Sequence, residues 1–162
     1  MNLFILFLYG IFTGANNQEI ASIREQYHQA IYEEKAAIDL SKAISLIKNK
    51  NSVELAYQGA TQMLMAKYAF LPNQKYANFV SGKALLEEAI SKEPNNIELI
   101  YLRYGIQLNA PSFLSYQQNL VTDRKFLIEQ VKLVTDKDLH KRILVLLLAQ
   151  GKLTDAEREL LQ

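Results

Sequence analysis

The chain has no cysteine and no tryptophan, and few residues that break a helix: three prolines and six scattered glycines in 162 positions. Lack of cysteine excludes disulfides, thiolate nucleophiles, Cys-ligated zinc and a lipidated N-terminal cysteine. Excess charge of one sign is missing as well, with 18 Lys and Arg against 17 Asp and Glu and no long run of like charges. Such a balance carries no electrostatic footprint for nucleic acid or anionic lipid, so nucleic-acid partners are not expected. No glycine-rich phosphate loop and no nucleophile-elbow serine occurs, and Ser41, Ser112 and Ser115 lie in unrelated contexts. From Asn16 onward, alternation of apolar and polar residues long enough for a strand is absent too.

What is present is a mostly apolar N-terminus and helical periodicity after it. The run from Leu3 to Phe12, LFILFLYGIF, is uncharged and is followed by Thr13-Gly14-Ala15 and polar Asn16-Asn17-Gln18-Glu19. It is shorter than the roughly 20 apolar residues a membrane-crossing helix needs. Small residues before a polar segment suit signal peptidase, so residues 1–15 read as a secretory signal peptide cut between Ala15 and Asn16. No membrane span is expected after that cut. The basic stretch that usually precedes such a run is absent, the first basic residue being Arg24. The alternative is an N-terminal helix packed in the core, which would ordinarily show a polar face that this run lacks.

Residues 16–162 read as a single all-α domain of seven to eight helices. Ile20, Ile23, Tyr27, Ala30 and Ile31 form one stripe, and Ala36, Ala37, Leu40, Ala43, Ile44 and Ile47 another, rotated by roughly 130° on a continuous helix. That jump predicts two helices with a turn near Glu33 to Lys35. Asn51 and Glu54 are spaced as a cap and its acid for a third helix. Leu71-Pro72-Asn73-Gln74 reads as a breaker, followed by a fourth helix from about Tyr76 to Lys92 that Glu93-Pro94 stops. Asn95 and Glu98 repeat the capping spacing for a fifth helix ending near Asn109. Its two apolar stripes, on opposite sides, predict packing on both faces. A sixth helix is expected over 120–134 and a seventh, LHKRILVLLLAQ, so apolar that it too is expected between neighbours. Gly151 reads as a C-terminal cap, and Thr154 with Glu157 as a capping box for a short final helix.

Seven or eight helices with short links make either an irregular bundle or stacked antiparallel hairpins. SGKALLEEAISKEPNNIELIYLRYG, residues 81–105, resembles the joint of a tetratricopeptide repeat: small Gly82, large Leu86, small Ala89, then Pro94-Asn95-Asn96 before the next helix. The resemblance is confined to this joint. A second one covers most of the mature chain. The leader, AYQGATQMLMAKYAF, EPNNIELIYLRYGIQLNAPSFLSY and Asp123-Arg124-Lys125-Phe126 together resemble an uncharacterised family of exported helical bacterial proteins. That likeness implies export and a helical fold, and assigns no reaction or catalytic residue.

Chemistry-bearing patterns are scarce. His28 and His140 lie far apart without ligands at metal-binding spacing, so no metal or cofactor site is expected. Adjacent acids such as Glu33-Glu34 and Glu87-Glu88 point about 100° apart on a helix and do not converge on one substrate atom. No catalytic constellation emerges, and an enzyme is not the expected reading. Arg103 lies between the two apolar stripes of the fifth helix, where its guanidinium needs an acceptor; Asp123 is the expected partner, with Glu87 or Glu88 as alternatives. Pro111, Phe113, Leu114 and Tyr116, in the loop after the fifth helix, are the candidate contact surface. These features predict an exported protein-interaction or scaffolding module of the bacterial envelope, with a protein or peptide partner. The rival expectation is a carrier enclosing a small apolar ligand against Met63, Met65, Phe79 and Phe113.

Overall fold

The computed structural model describes residues 3–150 and 154–161, and side chains from Asn17 onward within those ranges except at 156, 160 and 161. Eight α-helices account for most of the described residues, and no strand occurs among them: α1 (Leu3–Ala30), α2 (Glu34–Leu46), α3 (Ser52–Tyr68), α4 (Pro72–Lys92), α5 (Ile97–Asn109), α6 (Leu120–Gln130), α7 (Lys137–Ala149) and α8 (Asp155–Leu161). The chain divides into two compact units, Met1–Leu85 and Leu86–Gln162, with the boundary inside α4. The side chains of the expected leader, and of Ala15 and Asn16 at its cleavage site, lie outside the described residues, as does Gly151.

In the first unit α1, α2 and α3 pack against one another. The phase jump in the apolar pattern becomes a turn at residues 31–33; of the two stripes, Ile20, Ile23, Tyr27, Ala30 and Ala37, Leu40, Ile44 are buried, whereas Ile31, Ala36 and Ile47 are half-buried and Ala43 is exposed. The last carbonyls of α1 have no partner within their own helix and are capped from α3: the Tyr68 hydroxyl donates to Ala30 O at 2.8 Å and Lys67 Nζ to Ile31 O at 2.7 Å. At the start of α3 the Asn51 side chain accepts from Glu54 N (2.9 Å) while Glu54 Oε2 accepts from Asn51 N (2.8 Å), the expected capping box. Small residues let α3 and α4 approach closely. A Cβ on Gly82 would overlap the Gly59 carbonyl and sit 2.7 Å from Met63 N and Cγ, so only glycine fits there. The expected breaker at Pro72 is instead the first residue of α4, a position where proline's missing N–H costs nothing and its fixed φ suits a helix.

In the second unit α5 is the central helix, with Leu99, Ile100, Tyr101, Leu102 and Tyr104 buried on both sides, and it packs against α6 and α7. Its cap is Asn96 rather than the expected Asn95: Asn96 Oδ1 accepts from Glu98 N at 3.1 Å, a two-residue reach. The sixth helix stops at Gln130 and tightens into a one-turn 3-10 helix, Val131–Leu133. Asp136 then caps α7 by accepting from Asp138 N and Leu139 N. The expectation that α7 is packed on both sides is corrected. Leu139, Ile143 and Leu147 form one buried row, whereas Val145 and Leu148 are 58% and 57% exposed, because the unit covers only one face of the helix. The final capping box is present, Thr154 N donating to Glu157 Oε2 at 2.7 Å and Glu157 N to Thr154 Oγ1 at 3.2 Å.

Candidate functional site

The most polar buried region of the second unit is built around Arg103. Helical phase places this residue between two apolar stripes of α5, so its stem is covered and its charged head must be met inside the protein. It is met by Asp123 in the first turn of α6: Arg103 Nε donates to Oδ2 at 2.8 Å and Nη2 to Oδ1 at 2.7 Å, the two parallel bonds that suit a planar guanidinium and a carboxylate. The third nitrogen, Nη1, donates to Glu87 Oε2 of α4 at 3.0 Å. Glu87, not its neighbour Glu88, is the second acid; Glu88 turns outward to Lys92. Burial is the largest influence on Arg103 and works against its charge, but the bonds and charges of Asp123 and Glu87 outweigh it and hold the guanidinium protonated more firmly than a free one.

Tyr116 completes the cluster. Its hydroxyl donates a short hydrogen bond to Glu87 Oε1, and its side chain is 1% exposed. Burial first, then the bond to Glu87, raises its pKa above the ordinary tyrosine value, so the phenol stays neutral and donates. Beside it Gln107, fully buried on α5, donates from Nε2 to Asn119 Oδ1 at 3.2 Å, while Gln107 Oε1 meets no hydrogen-bond partner. Chemically the cluster ties α4, α5, α6 and the loop between the last two helices. The Arg103 nitrogens face carboxylates, and the tyrosine proton is held by Glu87 rather than offered to a substrate.

The loop carrying the candidate contact surface splits in two. Pro111 is exposed, Phe113 is 81% exposed and Leu114 half-buried in a 3-10 turn at Ser112–Leu114, closed by Leu114 N to Pro111 O and Ser115 N to Ser112 O, both 3.0 Å. Ser115 then adopts a left-handed conformation, φ 47°, costly for a residue with a side chain, and Tyr116 turns inward. Tyr116 is therefore removed from the expected contact surface: its hydroxyl finds an acid inside the unit. Gln117 fixes the other side of the loop, Nε2 donating to Ala110 O at 2.8 Å. Val121, in the first turn of α6, is 82% exposed.

Further polar residues are buried, of which Arg24 did not stand out in the sequence. Arg24 is 1% exposed, and its signal is positional: it follows Ile20 by four residues and precedes Tyr27 by three, inside the stripe. Glu54 and Glu98, both buried, are first-turn acids whose placement follows from capping. His28, in the first unit, is half-buried with its ring edge-on to Tyr27 at 6.1 Å, and His140, in the second, is half-buried on α7. Among the described residues no three His, Cys, Asp or Glu side chains group as a metal site would require.

A cleft of about 310 Å³ in the second unit is lined by Asn95, Ile97, Gln130, Val134, Asp136 and Leu139, among others. None of the residues expected to line an apolar carrier borders it: Met63 and Phe79 belong to the core of the first unit, Met65 is half-buried and Phe113 faces solvent. Fold and cluster together define an all-helical protein whose conspicuous buried polar groups hold helices and a loop in place. Comparison with known proteins returns no matching family, no matching curated relative and no matching solved structure.

Proposed function

We propose that this protein is an exported helical module of the bacterial envelope that binds another protein through the loop between α5 and α6. The observation that carries the reading is the exposure of Phe113 on a loop whose neighbour Tyr116 is anchored in the Arg103 network. A large aromatic side chain held out on a fixed support loses little conformational freedom on binding and is the kind of anchor that dominates interfaces. Exposed Pro111 and half-buried Leu114 flank it in the same turn. Export rests on the apolar run before Ala15 and on the resemblance to exported helical proteins.

Two measurements test it. The N-terminal residue of protein recovered from fractionated cells is expected to be Asn16, in the envelope or medium; a cytoplasmic pool retaining Met1 overturns export. A photoreactive phenylalanine analogue at position 113 is expected to crosslink one recurring envelope protein, and the same analogue at exposed Tyr32 is expected not to. Equal crosslinking from both positions overturns the assignment of the loop.

A further inference from the structure

The corner between α3 and α4, in the first unit, carries the most exposed large apolar side chain described, Phe70 at 91%, together with exposed Leu71, Tyr76 and Val80. Leu71 through Ala77 are all exposed, and burial resumes at Asn78 and Phe79, so the opening turns of α4 form a projecting tip rather than a groove. The tip is firmly based. Gln62 Nε2 of α3 donates to Asn78 Oδ1 at 2.7 Å, Gly82 lies against Gly59 and Met63, and Lys67 and Tyr68 hold the carbonyls of α1.

The chain as a whole is balanced and by itself gives no expectation of anionic lipid, but the charge of this stretch is one-sided. Between Glu54 and Glu87 the sequence holds no acid but has Lys67, Lys75 and Lys83. Lys75 is exposed beside Tyr76, which places a cation next to the apolar side chains of the tip. Lys67 lies over the Tyr68 ring, 5.1 Å from its centre. The neighbouring α1–α2 turn ends this surface, since there Tyr32 is accompanied by Glu33 and Glu34.

We infer that this corner docks on the surface of an anionic lipid bilayer, with Phe70 and Leu71 entering the headgroup boundary, Tyr76 at the interface and Lys75 against lipid phosphates. A convex apolar tip, an aromatic with a polar end and an exposed lysine in an acid-free stretch match what interfacial elements present to such a surface. No spanning segment is needed, and among the described residues no helix is long and apolar enough to cross a membrane. The Phe113 loop takes no part in this docking.

The chain has no tryptophan, so Phe70→Trp in the full-length protein gives a single reporter at the tip, on a side chain too exposed for the change to disturb the core. Its emission is expected to shift to the blue with vesicles containing phosphatidylglycerol and far less with phosphatidylcholine alone. Adding Lys75→Gln is expected to weaken the response about fivefold. Binding through the apolar N-terminus leaves the reporter in water. No shift with phosphatidylglycerol overturns the inference. So does an equal shift with both lipids, or a lipid-independent shift that grows with protein concentration and marks self-association.

Discussion

Replacing Arg103 by methionine keeps most of the side chain's apolar length and removes three donors, two to Asp123 and one to Glu87. The outcome turns on Asp123, which is 3% exposed and would be left as a buried carboxylate without its partner. Breaking a buried pair from one side costs about 3–5 kcal/mol, whereas replacing both members by apolar residues is often close to neutral. Arg103→Met is therefore expected to destabilise the second unit by about 3–5 kcal/mol, and Arg103→Met with Asp123→Leu to recover all but about 1 kcal/mol. Because the chain forms two compact units, one global unfolding curve is a poor reporter. Amide hydrogen exchange along α5 and α6 reads the affected unit directly, and the single variant should accelerate its slowest amides by roughly two to three and a half orders of magnitude. Acceleration below about tenfold would falsify the claim that Asp123 is desolvated and dependent on Arg103. A double variant as unstable as the single one would mean that the cluster's value lies elsewhere, in Glu87 and Tyr116.

The close crossing of α3 and α4 predicts that Gly82→Ala destabilises by about 1–3 kcal/mol although alanine favours helix, since the added methyl meets backbone atoms of Gly59 and Met63 that cannot swing aside. An unchanged or higher thermal midpoint by circular dichroism would show that the helices are not so close. Acid should loosen α8 from α6. The Arg124 guanidinium foremost, then the Thr154 backbone N–H, holds the Glu157 carboxyl down at about 2 from an ordinary 4.5. A depressed folded value means stability present above about pH 4.5 and lost as pH falls toward 2. Protection of α8 amides, taken relative to the intrinsic exchange rate at each pH, should fall across that window in the parent protein, while Glu157→Gln should be weakly protected already at neutral pH and show no such step; parent protection that stays flat from pH 5 to 2 would contradict the pairing.

Helical class and most helix boundaries were legible from local physics. The phase jump between Ile31 and Ala36, the Asn51–Glu54 capping box and the Thr154–Glu157 pair each act within a few residues, so their spacing is their signature. Boundary errors arose where two local rules compete. Pro72 opens α4 instead of ending a helix because proline stops a helix only where its N–H is needed, and Asn96 outcompetes Asn95 because its side chain reaches the second amide of the turn.

The pairing of Arg103 shows the limit more sharply. Amphipathic phase alone says that the guanidinium lies among apolar neighbours and requires an acid, and that follows from the sequence by itself, as do the helical class, the charge balance and the acid-free stretch around Phe70. Which acids respond, Asp123 on both oxygens and Glu87 rather than Glu88, depends on how α4, α5 and α6 are brought together. Tertiary structure also decided that Tyr116 turns inward while Phe113 stays out, and that α7 buries one face only. The physical reason is common to all three. A residue's phase on its helix is set by neighbours within one turn, whereas burial and partnership are set by whatever other surface the fold lays against it.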